Sequence, residues 1–83
     1  MITLNLMGGL IYAIGQNTLT IDKSQSSIKE ILDILKIKSK DKKIVDNNIM
    51  ISINGIDSNV LGGRNASVTE QDNIVAVTIV HGG

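Results

Sequence analysis

The sequence predicts a two-layer α+β domain in which one helix lies across a mixed sheet of four to five strands. Three patterns carry this. Apolar residues alternate at Ile2, Leu4 and Leu6, as a strand with one buried face requires, and a short, nearly continuous apolar segment over residues 74–80 reads as the last strand. Between them Ile28, Ile31, Leu32 and Leu35 fall at i, i+3, i+4 and i+7, the stripe of an amphipathic helix. Ile49, Ile51 and Ile53 then lead into Asn54-Gly55, a dipeptide suited to a two-residue hairpin turn.

Taken in order, residues 2–7 form the first strand and Gly8-Gly9 close it, since glycine accepts the positive φ of a tight turn. A second strand falls within residues 10–22, with Leu19 and Ile21 facing inward and Gly15-Gln16-Asn17 as a break or turn. Ser27 and Glu30 have capping-box spacing and fix the helix start. Lys36 follows where the helix dipole is negative, and residues 37–47 read as a polar connection with one helical turn near Lys43. Residues 49–53 are the next strand. A short strand near Val60-Leu61 and a Gly62-Gly63 turn precede the final strand at 74–80. The expected order is strand, strand, helix, strand, short strand, strand. No repeat or boundary divides it, so residues 1–80 form a single domain and residues 81–83 a flexible tail.

Composition removes several classes of function. Among 83 residues, eight Lys plus Arg balance eight Asp plus Glu, whereas nucleic-acid binders usually carry a basic excess. Tyr12 is the only aromatic residue and supplies no stacking platform for single-stranded RNA. Without Cys there is no disulfide, thiolate metal site or cysteine nucleophile. The single His81 stands beside two glycines, which leaves no multi-His metal cluster and no orienting partner for a catalytic triad. Neither a phosphate-binding GxxxxGK[ST] loop nor GxGxxG occurs. The first fifteen residues lack a basic start, and the apolar run at residues 74–77 is far too short to cross a bilayer. The expectation is a soluble cytoplasmic protein that is not itself an enzyme.

What remains is the end of the chain. Gly82-Gly83 follow the last strand directly after His81. A tail without side chains passes through a narrow channel and presents its carboxylate to another enzyme. The competing reading is a frayed end without a role.

Four motifs weigh on that choice: Asn54-Gly55-x-Asp57, Val60-Leu61-Gly62-Gly63, Gln71-Asp72-Asn73-Ile74 and the ending Val80-His81-Gly82-Gly83. Together they resemble the ubiquitin-related modifiers and their archaeal small-modifier relatives, and the element order is similar to their β-grasp fold. The resemblance spans the chain and is strongest over residues 49–83. The molybdopterin-synthase small subunit, which usually has prolines before its end, fits less closely because this chain has none.

The resemblance implies that an ATP-dependent, ubiquitin-activating-type enzyme adenylates the Gly83 carboxylate. The acyl-adenylate then becomes a thiocarboxylate that delivers sulfur, as in tRNA thiolation, or the terminus is joined to a target lysine. The chain would be a monomeric carrier without a bound cofactor; ATP is used by the partner. A thiolation enzyme or lysine-bearing targets would complete the set of partners, and proteasomal coupling stays open. No membrane and no direct nucleic-acid partner is expected. The alternatives are the molybdopterin-synthase small subunit and an interaction adaptor without terminal chemistry.

The final strand also points to a partner. Ile74, Ala76 and Thr78 share one face, and Val75, Val77 and Ile79 the other. A sheet covered by one helix should leave its second face polar, so an apolar second face marks a docking surface, extended by Met50. The alternative is a central strand shaded by long neighbours. By similarity to the family, Ile74 and Ala76 point inward and Val75 and Val77 outward. The five lysines between residues 36 and 43 read as a solvated connection, with an acidic partner, nucleic acid, an activating enzyme's surface or a conjugation site as the sharper alternatives.

Overall fold

The computed structural model describes residues 1–39 and 48–78. Strand β1 (Ile2–Met7) buries Ile2, Leu4 and Leu6 and exposes the residues between them. Gly8 then turns the chain into a short helix, α1 (Gly9–Ile14). The strand expected within residues 10–22 is β2 (Thr18–Ile21), whereas α1 before it is a helix that the sequence reading does not contain. The helix forms because Leu10 and Ala13, both buried, and Ile11 and Ile14, packed against the core, are pairs three residues apart. Gly15 ends it at φ 89°, its N–H donating to the Ile11 carbonyl at 2.8 Å. As expected, Leu19 and Ile21 are the buried residues of β2, which pairs antiparallel with β1.

After β3 (Gln25–Ser27), helix α2 (Ile28–Lys38) starts as its capping signal indicates. Ser27 Oγ accepts from the Glu30 N–H at 3.1 Å. Ile28, Ile31, Leu32 and Leu35 are all buried, so the stripe read from the sequence is the packed face. The helical turn expected near Lys43 lies outside the described residues. Strand β4 (Ile49–Ile53) and β5 (Ile56–Asp57) close a two-residue hairpin in which Asn54 (φ 53°) and Gly55 (φ 83°) both take positive φ.

The strand expected near Val60-Leu61 is instead a 3₁₀ turn, Ser58–Leu61, followed by another, Gly63–Asn65. Asp57 starts the first by accepting from the Asn59 N–H at 2.9 Å. With Val60 76% exposed, this apolar pair has no sheet face to bury. A second, two-stranded sheet joins β3 to β6 (Ser67–Thr69), an element absent from the sequence expectation. Strand β7 (Ile74–Thr78) completes the main sheet.

The five-stranded sheet runs β2-β1-β7-β4-β5, with β7 parallel to β1 and antiparallel to β4. It is therefore mixed, and β7 is its central strand. The inward residues of β1, β7 and β4 join the stripe of α2 in one apolar core, with Val68 of β6 fully buried. Most of its members are Ile, Leu and Val, and β-branched Ile suits the strand positions. This is the β-grasp arrangement of one helix across a mixed sheet.

Candidate docking face and carrier terminus

Cross-strand register assembles the outer face of the sheet. Met7 and Met50 both lie opposite Val77, on either side of the central strand. The row below places Asn5 and Ser52 opposite Val75. Ile74 and Ala76 are fully buried, whereas Val75 and Val77 are partly exposed and turn away from the core. An apolar row, Met7–Val77–Met50, thus crosses the sheet at the C-terminal end of β7, with Met7 54% and Met50 40% exposed. Beyond it Asn5 and Ser52 flank Val75, and Thr3 and Thr20 pair on the exposed surface, so polar residues border the apolar row. Tyr12, on α1, is the most exposed of the large apolar side chains described.

Of the residues read from the sequence, Val75, Val77 and Met50 come together here. Ile79, His81, Gly82 and Gly83 lie outside the described residues. Met7 is a member that the sequence reading does not single out, although its parity in β1 is outward and a methionine there is a signal. The connection lysines divide likewise. Lys36 pairs with Asp33 at 3.5 Å one helical turn away, Lys38 is exposed, and the remaining cluster lies outside the described residues.

Gly8 and Gly9 bring α1 onto the end of β7. Gly8 has φ 59°, and a Cβ there would stand 3.4 Å from Val77 Cγ2. At Gly9 a Cβ would stand 2.6 Å from Thr78 Oγ1, closer than real Cβ atoms approach. The diglycine read as a turn is therefore also a close-packing site over the last described residue of the central strand. Beneath it, Thr78 Oγ1 is buried with no hydrogen-bond partner among the described residues. An unsatisfied buried hydroxyl costs about 1–3 kcal/mol. Thr78→Val, which keeps the shape, should raise the melting temperature by roughly 4–8 °C, the equivalent of about 1 kcal/mol in a domain of this size. Thermal unfolding measures this, and a fall would show that the hydroxyl is bonded in solution.

The remaining motif residues hold the scaffold. Asn54 Nδ2 donates to Asp72 Oδ1 at 2.9 Å, and Asn54 Oδ1 accepts from the Asn73 N–H at 2.9 Å. Asp72 Oδ2 accepts from the Thr69 N–H at 2.8 Å. Asn73 Oδ1 takes a bond from Asn5 Nδ2 at 3.3 Å. These contacts tie the β4–β5 turn to the turn that launches β7. They explain the Asn54-Gly55 and Asp72-Asn73 motifs as turn architecture rather than chemistry.

Two carboxylates are held below their ordinary values. For Asp72 the first cause is the Thr69 N–H and the second the Asn54 amide. For Glu30 it is the bond and charge of Lys23 at 2.5 Å, helped by the Ser26 and Ser27 hydroxyls at 3.5 Å. A depressed folded pKa means that the unfolded chain binds protons first as acid is added. The stability these groups contribute is thus complete above the ordinary values of 4.5 and 3.8 and is lost as pH falls through the folded ones. The melting temperature should hold from about pH 7 to about pH 5 and drop below about pH 4, with a shallower acid limb in Asp72→Ala.

Among the described residues no group of three or more His, Cys, Asp and Glu gathers to hold a metal, and no helix is long and apolar enough to cross a membrane. A search of curated proteins finds no match. Solved structures share the fold at low identity. Urm1 from Trypanosoma brucei superposes with a TM-score of 0.72 at 21% identity, over 99% of this chain and 94% of that one. Small archaeal modifier protein 1 from Methanosarcina acetivorans gives 0.71 at 22%, over 99% and 95%. A chain of the Amycolatopsis orientalis BexX/CysO complex gives 0.70 at 19%, with 100% of each chain covered. The model of the ubiquitin related modifier family matches residues 1–83, and the chain therefore belongs to that family.

Proposed function

We propose that this chain is a ubiquitin-like modifier and sulfur carrier whose Gly83 carboxylate is activated by a partner enzyme docked on the Met7–Val77–Met50 row. The family supports the general carrier role. One observation carries the finer reading: the apolar row of the outer face lies at the C-terminal end of β7, only a few residues before Gly82-Gly83 in the sequence. A partner seated there holds the chain by a rigid sheet while the last residues reach its catalytic centre.

The chemistry follows from the carboxylate, which is a poor electrophile. Attack of a Gly83 oxygen on the α-phosphorus of ATP expels pyrophosphate and leaves an acyl-adenylate, with AMP as leaving group. A persulfide of the partner then attacks the carbonyl carbon and expels AMP, giving an acyl disulfide; a second thiol of the partner attacks the donor sulfur, forms a disulfide with it and releases the terminal thiocarboxylate used for tRNA thiolation. A target lysine amine displacing AMP or the partner's sulfur gives an isopeptide bond instead. This chain contributes the docking face, the reach and the nucleophilic oxygen; the catalytic groups belong to the partner.

Incubation with an activating enzyme and ATP tests the reading. Pyrophosphate release that depends on this chain is the expected result, and its absence overturns the proposal in favour of an adaptor. Conjugation is tested separately by lysine-linked adducts. Arg64 is the last basic residue, so trypsin leaves residues 65–83 on a modified lysine, and a search for a bare diglycine remnant would miss it.

A further inference from the structure

The β4–β5 turn needs two positive φ values and takes them from Asn54 and Gly55. That dipeptide is also the one most open to attack by its own backbone, because glycine places no side chain beside its amide nitrogen. Asn54 is the only asparagine of the sequence followed by glycine. Both residues are exposed, and nothing lies within 4 Å of where a Gly55 Cβ would stand. The Asn54 amide is also the group the scaffold most needs as an amide, since its NH₂ donates to Asp72 while its oxygen accepts from Asn73.

We propose that Asn54-Gly55 is a site of spontaneous deamidation whose product sets a second carboxylate against Asp72 and loosens the turn that launches β7. The Gly55 amide nitrogen attacks Asn54 Cγ, the bond from Cγ to the side-chain nitrogen breaks, and ammonia leaves carrying the displaced proton. The resulting succinimide adds water at one of its two carbonyl carbons. Opening at Cγ gives aspartate; opening at the main-chain carbonyl gives isoaspartate. Nothing is oxidised or reduced.

Either product damages the same contact. Aspartate replaces the donor 2.9 Å from Asp72 Oδ1 with an anionic oxygen, and like charges at that separation repel. Isoaspartate also lengthens the main chain inside a two-residue loop, where the Ile53–Ile56 pairing has no slack. The neighbouring pair across the sheet is Ile53 with Ile74, the first residue of β7. The change is therefore felt by the central strand.

The experiment ages the purified chain in mildly alkaline buffer at physiological temperature and maps its asparagines by peptide mass spectrometry. Aspartate and isoaspartate should accumulate at Asn54 before any other asparagine. An intact Asn54 in the folded chain, while the same chain converts in urea, would overturn the proposal by showing that the contacts with Asp72 and Asn73 suppress the reaction. Asn54→Asp should lower the melting temperature by roughly 4–8 °C. Adding Asp72→Asn, which restores a donor–acceptor pair in the reverse direction, should recover at least half of the loss. An Asn54→Asp melting temperature equal to that of the original chain, or no recovery in the double variant, would equally overturn it.

Discussion

Deleting Gly83 should reduce ATP-dependent activation by at least about a hundredfold while leaving the unfolding curve unchanged. The deletion still ends in a glycine carboxylate, so a reactive group remains; what it loses is reach. One extended residue spans about 3.3–3.6 Å. Reacting atoms must come within roughly 3–3.5 Å, and a displacement of about 1 Å can already cost a hundredfold. With the partner fixed on the outer face of the sheet, the shortened chain stops a full residue short of the α-phosphorus. Stability should not follow, because the described core residues all lie between Ile2 and Ala76, and changes away from such features usually stay within about 0.5 kcal/mol. Pyrophosphate release measured beside a thermal melt separates the two effects. Undiminished release would mean that the terminus is not the reacting group.

The second large effect is expected at Val77. It sits between Met7 and Met50 on the outer face, while the next residue inward, Ala76, is fully buried. Val77→Asp would place a carboxylate in the middle of an apolar contact and leave it without a partner once water is excluded. Affinity for the activating enzyme should fall at least tenfold, about 1.4 kcal/mol, with the melting temperature nearly unchanged. Ala76→Asp is the contrasting variant and should unfold the domain. Equal affinity for Val77→Asp would move the docking surface elsewhere, and unfolding would show that Val77 supports the core.

These two variants differ by one step of strand parity, and parity was the harder part to read. Both faces of residues 74–78 are apolar, so alternation alone does not choose between them; the family resemblance points to Ile74 and Ala76, and burial agrees. Helix α2 was legible because eleven residues hold three turns of its stripe and its cap is written in Ser27 and Glu30. Helix α1 has six residues and less than two turns, too few for a helical period to stand out from a strand-like run. Strands β3 and β6 have three residues each, and Gln25-Ser26-Ser27 carries no apolar alternation, because its pairing is set by β6, some forty residues away. Val60-Leu61 misled in the opposite direction, an apolar pair without a sheet to join.

At the candidate site the same division holds. Val75, Val77 and Met50 were visible as apolar residues in strands, whereas the approach of Gly8 and Gly9 to Val77 and Thr78 joins segments nearly seventy residues apart. No local pattern encodes such a contact. The Asn54, Asp72 and Asn73 motifs were legible as family marks, but their work became clear only from the bonds between the two turns.

The central claim is that the chain carries its chemistry on Gly83. The most direct measurement is the intact mass of the chain after incubation with the activating enzyme, ATP and a sulfur donor, with fragmentation to locate the change. The account predicts a shift equal to the exchange of one oxygen for one sulfur, confined to Gly83 and absent without ATP. An unchanged mass together with no pyrophosphate release, in the presence of an enzyme that activates another member of the family under the same conditions, would contradict it.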